Sequence, residues 1–156
     1  MQYVIIGNST AATFAIEVIR AVDKAGSITV ISDETRPAYG RPLISYYLYG
    51  RIKLENTDYR SASFYTDNGV TVKYGVRAEK FDPEKKTVAL SDGSTIGYDK
   101  LLVATGSSPL VPPAEGLDTV PYHTFMTMDS ALALEKELYP EKRVLVVGAG
   151  LIGLKC

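Results

Sequence analysis

"YVIIGNSTAA", residues 3–12, decides how the rest of the chain is read. Tyr3 to Ile6 is a short, largely β-branched run closed by Gly7, the pattern of a strand buried on both faces. From Thr10 to Ala25 the period changes. Phe14, Val18 and Val22 recur every four residues with Ala15 and Ile19 beside them, which predicts a helix burying that stripe. Gly26 is the expected C-cap, and "SITVIS", Ser27 to Ser32, is a second buried strand. Strand, turn, helix and strand in this order make a right-handed βαβ unit.

The turn itself carries chemistry. Gly7-Asn8-Ser9-Thr10-Ala11-Ala12 follows the spacing G-x-G-x-x-G, with Ser9 at the second glycine and Ala12 at the third. The first glycine allows the tight turn, a small second residue lets backbone approach a pyrophosphate, and a small third residue lets helix and strand pack closely. The helix N-terminus adds its positive dipole end. The Cβ of Ser9 crowds that approach, while its hydroxyl can donate to a phosphate. Asp33 and Glu34 close the second strand about 20 positions on, where an acid meets a ribose hydroxyl. In this order the features read as a dinucleotide site. The alternative is a ligand-free turn followed by two acids that merely solubilise a loop.

Further along, "DETRPAYGRPLISYYLYGR" is a loop punctuated by Pro37, Gly40 and Pro42, with a short helix predicted over Leu43–Tyr49. "SASFYTDNG" is a small helix stopping at Asn68-Gly69. Short β segments follow in "VTVKYG", "AEKFD", "KTVAL" and "STIGY", and an antiparallel meander is predicted between Val76 and Tyr98. "KLLVATG", Lys100–Gly106, reads as a buried parallel-type strand. Ser107–Pro121 is proline-rich and reads as a linker. "MDSALALEKELYP" predicts a helix capped by Asp129 or Ser130 and ended by Pro140. Val144–Val147 is then a new buried strand. It feeds Gly148-Ala149-Gly150-Leu151-Ile152-Gly153, a full G-x-G-x-x-G for which a nucleotide site and a plain strand-to-helix turn both remain open.

Composition narrows the class. The 156 residues are 46 % hydrophobic and 22 % charged with a net charge of −1, which suits a globular α/β protein and gives no electrostatic reason for nucleic acid or an anionic membrane as partner. No run approaches a membrane span, and no basic region precedes the N-terminal apolar run. One cysteine, Cys156, and one histidine exclude an internal disulfide or a His/Cys metal cluster, so metal ligands are expected to be none and a reducing cytoplasm is the expected compartment.

Two such glycine turns, with a β-meander and "LLVATGSSP" between them, resemble the N-terminal part of the FAD-dependent pyridine nucleotide–disulfide oxidoreductase superfamily. The resemblance implies a Rossmann-like FAD-binding domain with a parallel sheet, a crossover helix and an antiparallel meander, followed by the start of a second Rossmann domain for NAD(P)H. It assigns residues 1–108 to the FAD domain, 109–141 to linker and helix, and 142–156 to the opening of the NAD(P)H domain. By this resemblance Gly7, Asn8, Ser9, Ala11, Ala12, Asp33 and Glu34 meet the ADP half of FAD. Ala104, Thr105 and Gly106 lie near its diphosphate, and Gly148, Gly150 and Gly153 belong to the nicotinamide nucleotide's turn. "PAYGRPLIS" is similar to the R-P-x-L-S segment of rubredoxin and ferredoxin reductases and of the flavin part of nitrite reductase, which implies that Arg41 and Pro42 sit at the flavin. Tyr46 stands where many of these reductases carry lysine. With no cysteine in the segment, thiol–disulfide chemistry is disfavoured.

The resemblance further implies hydride transfer from NAD(P)H to FAD and electrons passed to a small redox protein or a small-molecule acceptor. The flavin does the chemistry, so no catalytic side chain is assigned. The chain is expected to be an N-terminal fragment that does not turn over alone, and a homodimer through its C-terminal strand is one expected outcome. A non-catalytic nucleotide-binding or protein-interaction module is the competing reading.

Overall fold

The computed structural model describes residues 1–155; Cys156, the sole cysteine, lies outside them. The chain divides into two units, Met1–Tyr39 with Asp58–Gly106, and Gly40–Thr57 with the chain from Ser107 onward.

The first unit is built on a parallel sheet. β1 (Gln2–Ile6) leads through α1 (Thr10–Val22) to β2 (Ser27–Ile31). The short helix α3 (Phe64–Asp67) then leads into β3 (Val70–Lys73), and β7 (Lys100–Val103) comes last. The strand order is β3-β2-β1-β7, with Ile5 opposite Val30 and Leu102, all parallel. Side chains alternate across the sheet. Ile5, Ile28 and Val30 face α1 and α3, where Ala12, Ile16 and Phe64 complete one core cluster. Val4, Ile6 and Ile31 face the other way and meet Val88 and Leu90. Those two belong to the second sheet, the antiparallel meander of β4 (Ala78–Asp82), β5 (Thr87–Leu90) and β6 (Thr95–Gly97). Helices on one face and a meander on the other cover the parallel sheet, the α/β architecture expected.

Several local expectations are corrected. α1 buries Ala12, Thr13 and Ile16, while Phe14, Val18 and Val22 are exposed. The helix carries apolar residues on two stripes, and the crossover turns the one with Ala12 and Ile16 to the sheet, with Ala15 and Ile19 packed half-buried against the same core. Val18 instead borders an open apolar groove of about 250 Å³ that β1 and β7 also line. α1 ends at Val22, not near Gly26, because the Asp23 carboxylate accepts the N–H groups of Ala25 and Gly26 at 3.0 and 2.8 Å and breaks the run. β7 is an edge strand, so Leu102 and Val103 are exposed rather than buried.

In the second unit a 3-10 turn at Arg41–Leu43 runs into α2 (Ile44–Leu48), which packs against α4 (Met128–Glu137). Ile44, Met128 and Ala131 are buried, and Tyr47 donates to Glu135 at 2.8 Å. The cap of α4 is Thr127, whose hydroxyl accepts the Ser130 N–H at 3.2 Å, in place of Asp129 or Ser130. Val144–Val147 form no strand and stand exposed, against the expected buried strand. A lone segment has no ladder partner and cannot bury its own two faces.

Candidate functional site

The strand order locates the crevice. The chain moves outward from β1 to β2 to β3, then returns to place β7 on the free side of β1. Open α/β sheets bind ligands at such a reversal, beyond the C-terminal strand ends. Gly7 stands there. Its N–H donates to the Ile31 carbonyl at 2.8 Å, and Ala104 N–H donates to Ile6 at 2.8 Å, so the turn is seated between the ends of β2 and β7. Gly7 has φ +107, and a Cβ on it would run into the Ala104 carbonyl oxygen. Only glycine fits, for conformation and for space.

Asn8, Ser9 and Ala11 continue from that point, and Ala12 is fully buried against the sheet, the close helix–strand contact expected of it. Ser9 occupies the N-cap of α1 without a side-chain cap bond, and the helix's first turn carries no acidic residue. Its leading N–H groups lack intrahelical acceptors and no acidic side chain of its own first turn answers them, which suits an anion. Thr105 and Gly106 are exposed just past β7, Gly106 with φ +68.

Asp33 and Glu34 lie just beyond β2, at the same edge of the sheet, but differ in engagement. Asp33 is exposed. The Glu34 carboxylate accepts the Tyr39 hydroxyl at 2.6 Å, and its backbone carbonyl accepts Ser32 Oγ at 3.1 Å and Gly75 N–H at 3.2 Å.

A group the sequence reading missed lies behind the turn. Tyr65, on α3, donates its hydroxyl proton to Asn8 Oδ1 at 2.7 Å and accepts the Ala38 N–H at 3.1 Å. Asn8 Nδ2 is buried and unpartnered. A neutral hydrogen bond contributes about 0.5–1.5 kcal/mol, while an orphaned buried donor costs about 1–3 kcal/mol. The Asn8 amide thus sets one hydrogen bond against one orphaned donor. Tyr74 packs edge-on to Tyr65, ring centroids 6.5 Å apart. Burial, and then the Tyr65 hydroxyl beside it, push its phenol up to about 12.

The remaining expected site residues belong to the second unit. Arg41 Nη1 donates to the Met126 carbonyl at 2.7 Å, and Pro42 sits in the first turn of the 3-10 segment. Gly148 has φ +116, close to the value at Gly7, and a Cβ on Gly153 would run into the Gly148 carbonyl, while one on Gly150 would meet open space. The second glycine turn thus has its tight bend and close packing without a strand ahead of it. Among the described residues no cluster of acids, histidines or cysteines could hold a metal, and no helix is long and apolar enough to cross a membrane.

The family model described as pyridine nucleotide-disulphide oxidoreductase matches residues 1–156. The NADH-dependent phenylglyoxylate dehydrogenase subunit epsilon of Aromatoleum evansii is 37 % identical over 153 residues, covering 98 % of this chain and 36 % of that protein. The rubredoxin-NAD(+) reductase of Pseudomonas putida is 31 % identical, with 99 % of this chain and 40 % of that protein covered. Among solved structures, the water-forming NADH oxidase from Lactobacillus brevis bound to NADH superposes with TM-score 0.89 at 30 % identity, over 99 % of this chain and 36 % of that one. The chain spans two fifths or less of the length of each.

Proposed function

The chain belongs to the pyridine nucleotide-disulphide oxidoreductase family, and on that premise we propose that its first unit holds the adenine half of FAD in a flavoprotein oxidoreductase fed by NAD(P)H. The observation that carries this is the glycine turn at the β1/β7 reversal. Gly7 is forced by the Ala104 carbonyl, Ser9 leaves the helix end uncapped, and Asp33 stands exposed at the end of β2. A diphosphate suits the backbone N–H groups from Asn8 to Ala12 with Ser9 Oγ beside them, and a ribose suits Asp33 or Glu34. Ala104, Thr105 and Gly106 wall the diphosphate side. In the second unit, Arg41 and Pro42 serve the flavin, and Gly148, Gly150 and Gly153 serve the nicotinamide nucleotide. Residues 1–108 form the FAD-binding part, 109–141 the linker and helix, and 142–156 the opening of the nicotinamide domain.

Bound FAD supplies the redox chemistry, taking a hydride and releasing electrons one or two at a time. The protein's part is to bind and orient it. The names of the three relatives share NAD or NADH, and one of them names rubredoxin. We therefore assign the electrons of the whole protein to a small redox protein or a small-molecule acceptor, and the single cysteine supports a reducing, cytoplasmic setting. For these residues taken alone, the unpaired Val144–Val147 favours nucleotide binding without turnover. Reconstitution with FAD, then addition of NADH under anaerobic conditions, tests both readings. Retained flavin that NADH does not bleach is expected; loss of flavin on a desalting column would overturn the assignment.

A further inference from the structure

Resting on the reading of Gly7–Ala12 as a nucleotide turn, we propose that Tyr65 is a positioning residue for it. Its hydroxyl ties Asn8 of the turn to the Ala38 amide, so that the diphosphate-facing turn and the acidic loop after β2 are held as one piece. Three features carry this. The hydroxyl spans two segments that are far apart in sequence, at 2.7 Å to Asn8 Oδ1 and 3.1 Å from Ala38 N. The Ala38 end is itself fixed, because Ala38 is 2 % exposed and its neighbour Tyr39 holds the Glu34 carboxylate at 2.6 Å. And Tyr65 rests on a firm base, its ring edge-on to Phe64 at 5.2 Å, with Phe64 in the core beneath α1.

The alternative is a polar contact kept only for stability. Asn8 argues against it, since its Nδ2 is buried without a partner, and apolar residues at both positions would avoid that orphan. What an apolar pair cannot do is fix direction. Tyr65 already receives the Ala38 N–H, and its own proton goes to Asn8, so the amide is held in one orientation and the Gly7–Ser9 backbone with it.

Calorimetric titration with ADP tests this on wild type, Tyr65→Phe, Asn8→Ala and the double variant, with thermal unfolding measured without ligand. Each single variant is expected to bind ADP about 3- to 10-fold more weakly. The double variant should bind no more weakly than Tyr65→Phe alone, because that change already removes the Asn8 bond together with the Ala38 one. A merely structural tyrosine would lower the melting temperature and leave the affinity of the folded protein unchanged, and that result overturns the proposal, as does additivity in the double variant. If Tyr65→Phe does not fold, Asn8→Ala decides, and wild-type affinity in it is equally fatal. Wild-type protein that binds neither ADP nor FAD would sink the nucleotide reading and this inference with it. Binding by wild type that persists unchanged in both single variants would sink the inference alone.

Discussion

Asp33 and Glu34 are neighbours with the same charge, and their surroundings separate them. The Glu34 carboxylate is engaged by the Tyr39 hydroxyl, while Asp33 is exposed at the strand end. Asp33→Asn should therefore weaken ADP binding about 10- to 100-fold, the worth of a hydrogen bond to a charged group. Glu34→Gln should cost less. Equal losses in the two variants, read by calorimetry, would show that the sugar reaches Glu34 as well. Tyr74 gives a second residue-scale test. Its folded pKa is raised from 10.0 to about 12, so the native state favours the neutral phenol. That contribution is intact below pH 10 and is lost as pH rises toward 12. Tyr74→Phe should flatten the alkaline decline in stability across that window, followed by circular dichroism; an unchanged decline would place its cause elsewhere. The turn glycine and the acid pair were legible because they lie in one local motif. The Asn8–Tyr65 bond was not, because its partners come from different elements and no local pattern links them.

At the scale of the element, α1 shows where periodicity stops informing. Spacing marks residues 10–22 as helical and identifies apolar stripes, but not which stripe the crossover turns to the sheet. Ile16 is fully buried and Val22 is 80 % exposed. Ile16→Ala should cost about 2–5 kcal/mol in chemical denaturation, and Val22→Lys should stay within about 0.5 kcal/mol of wild type. The reverse ranking would restore the stripe that spacing alone suggests. The sequence marks β3 as a β segment but gives it no place in the parallel sheet, since a four-residue strand carries no mark of its partner. It pairs with β2, Val72 opposite Val30. The meander was legible because Asp92-Gly93 fixes a hairpin, with Gly93 at φ +81 and Ser94 N–H on the Asp92 carboxylate at 2.9 Å. Val144–Val147 has the composition of a central strand, yet composition supplies no neighbour to pair with, and the segment stands exposed.

For the whole molecule, the order of elements carries the account. A βαβ unit opens it, a meander covers the far face of the sheet, and β7 returns beside β1 to set the glycine turn at a reversal of strand order. The βαβ unit, the meander and a late parallel-type strand follow from the succession of strands and turns, whereas the place of β7 beside β1, the face the meander covers and the side-chain network behind the turn come from tertiary packing that no local pattern marks. On the proposed reading, the first turn suits an adenine dinucleotide of the FAD type. Calorimetric titration of the protein with FAD, ADP and NAD tests it most directly. Saturable one-to-one binding, with FAD and ADP both tighter than NAD, is expected; NAD binding more tightly than either, or no saturable binding of any of the three, would contradict it.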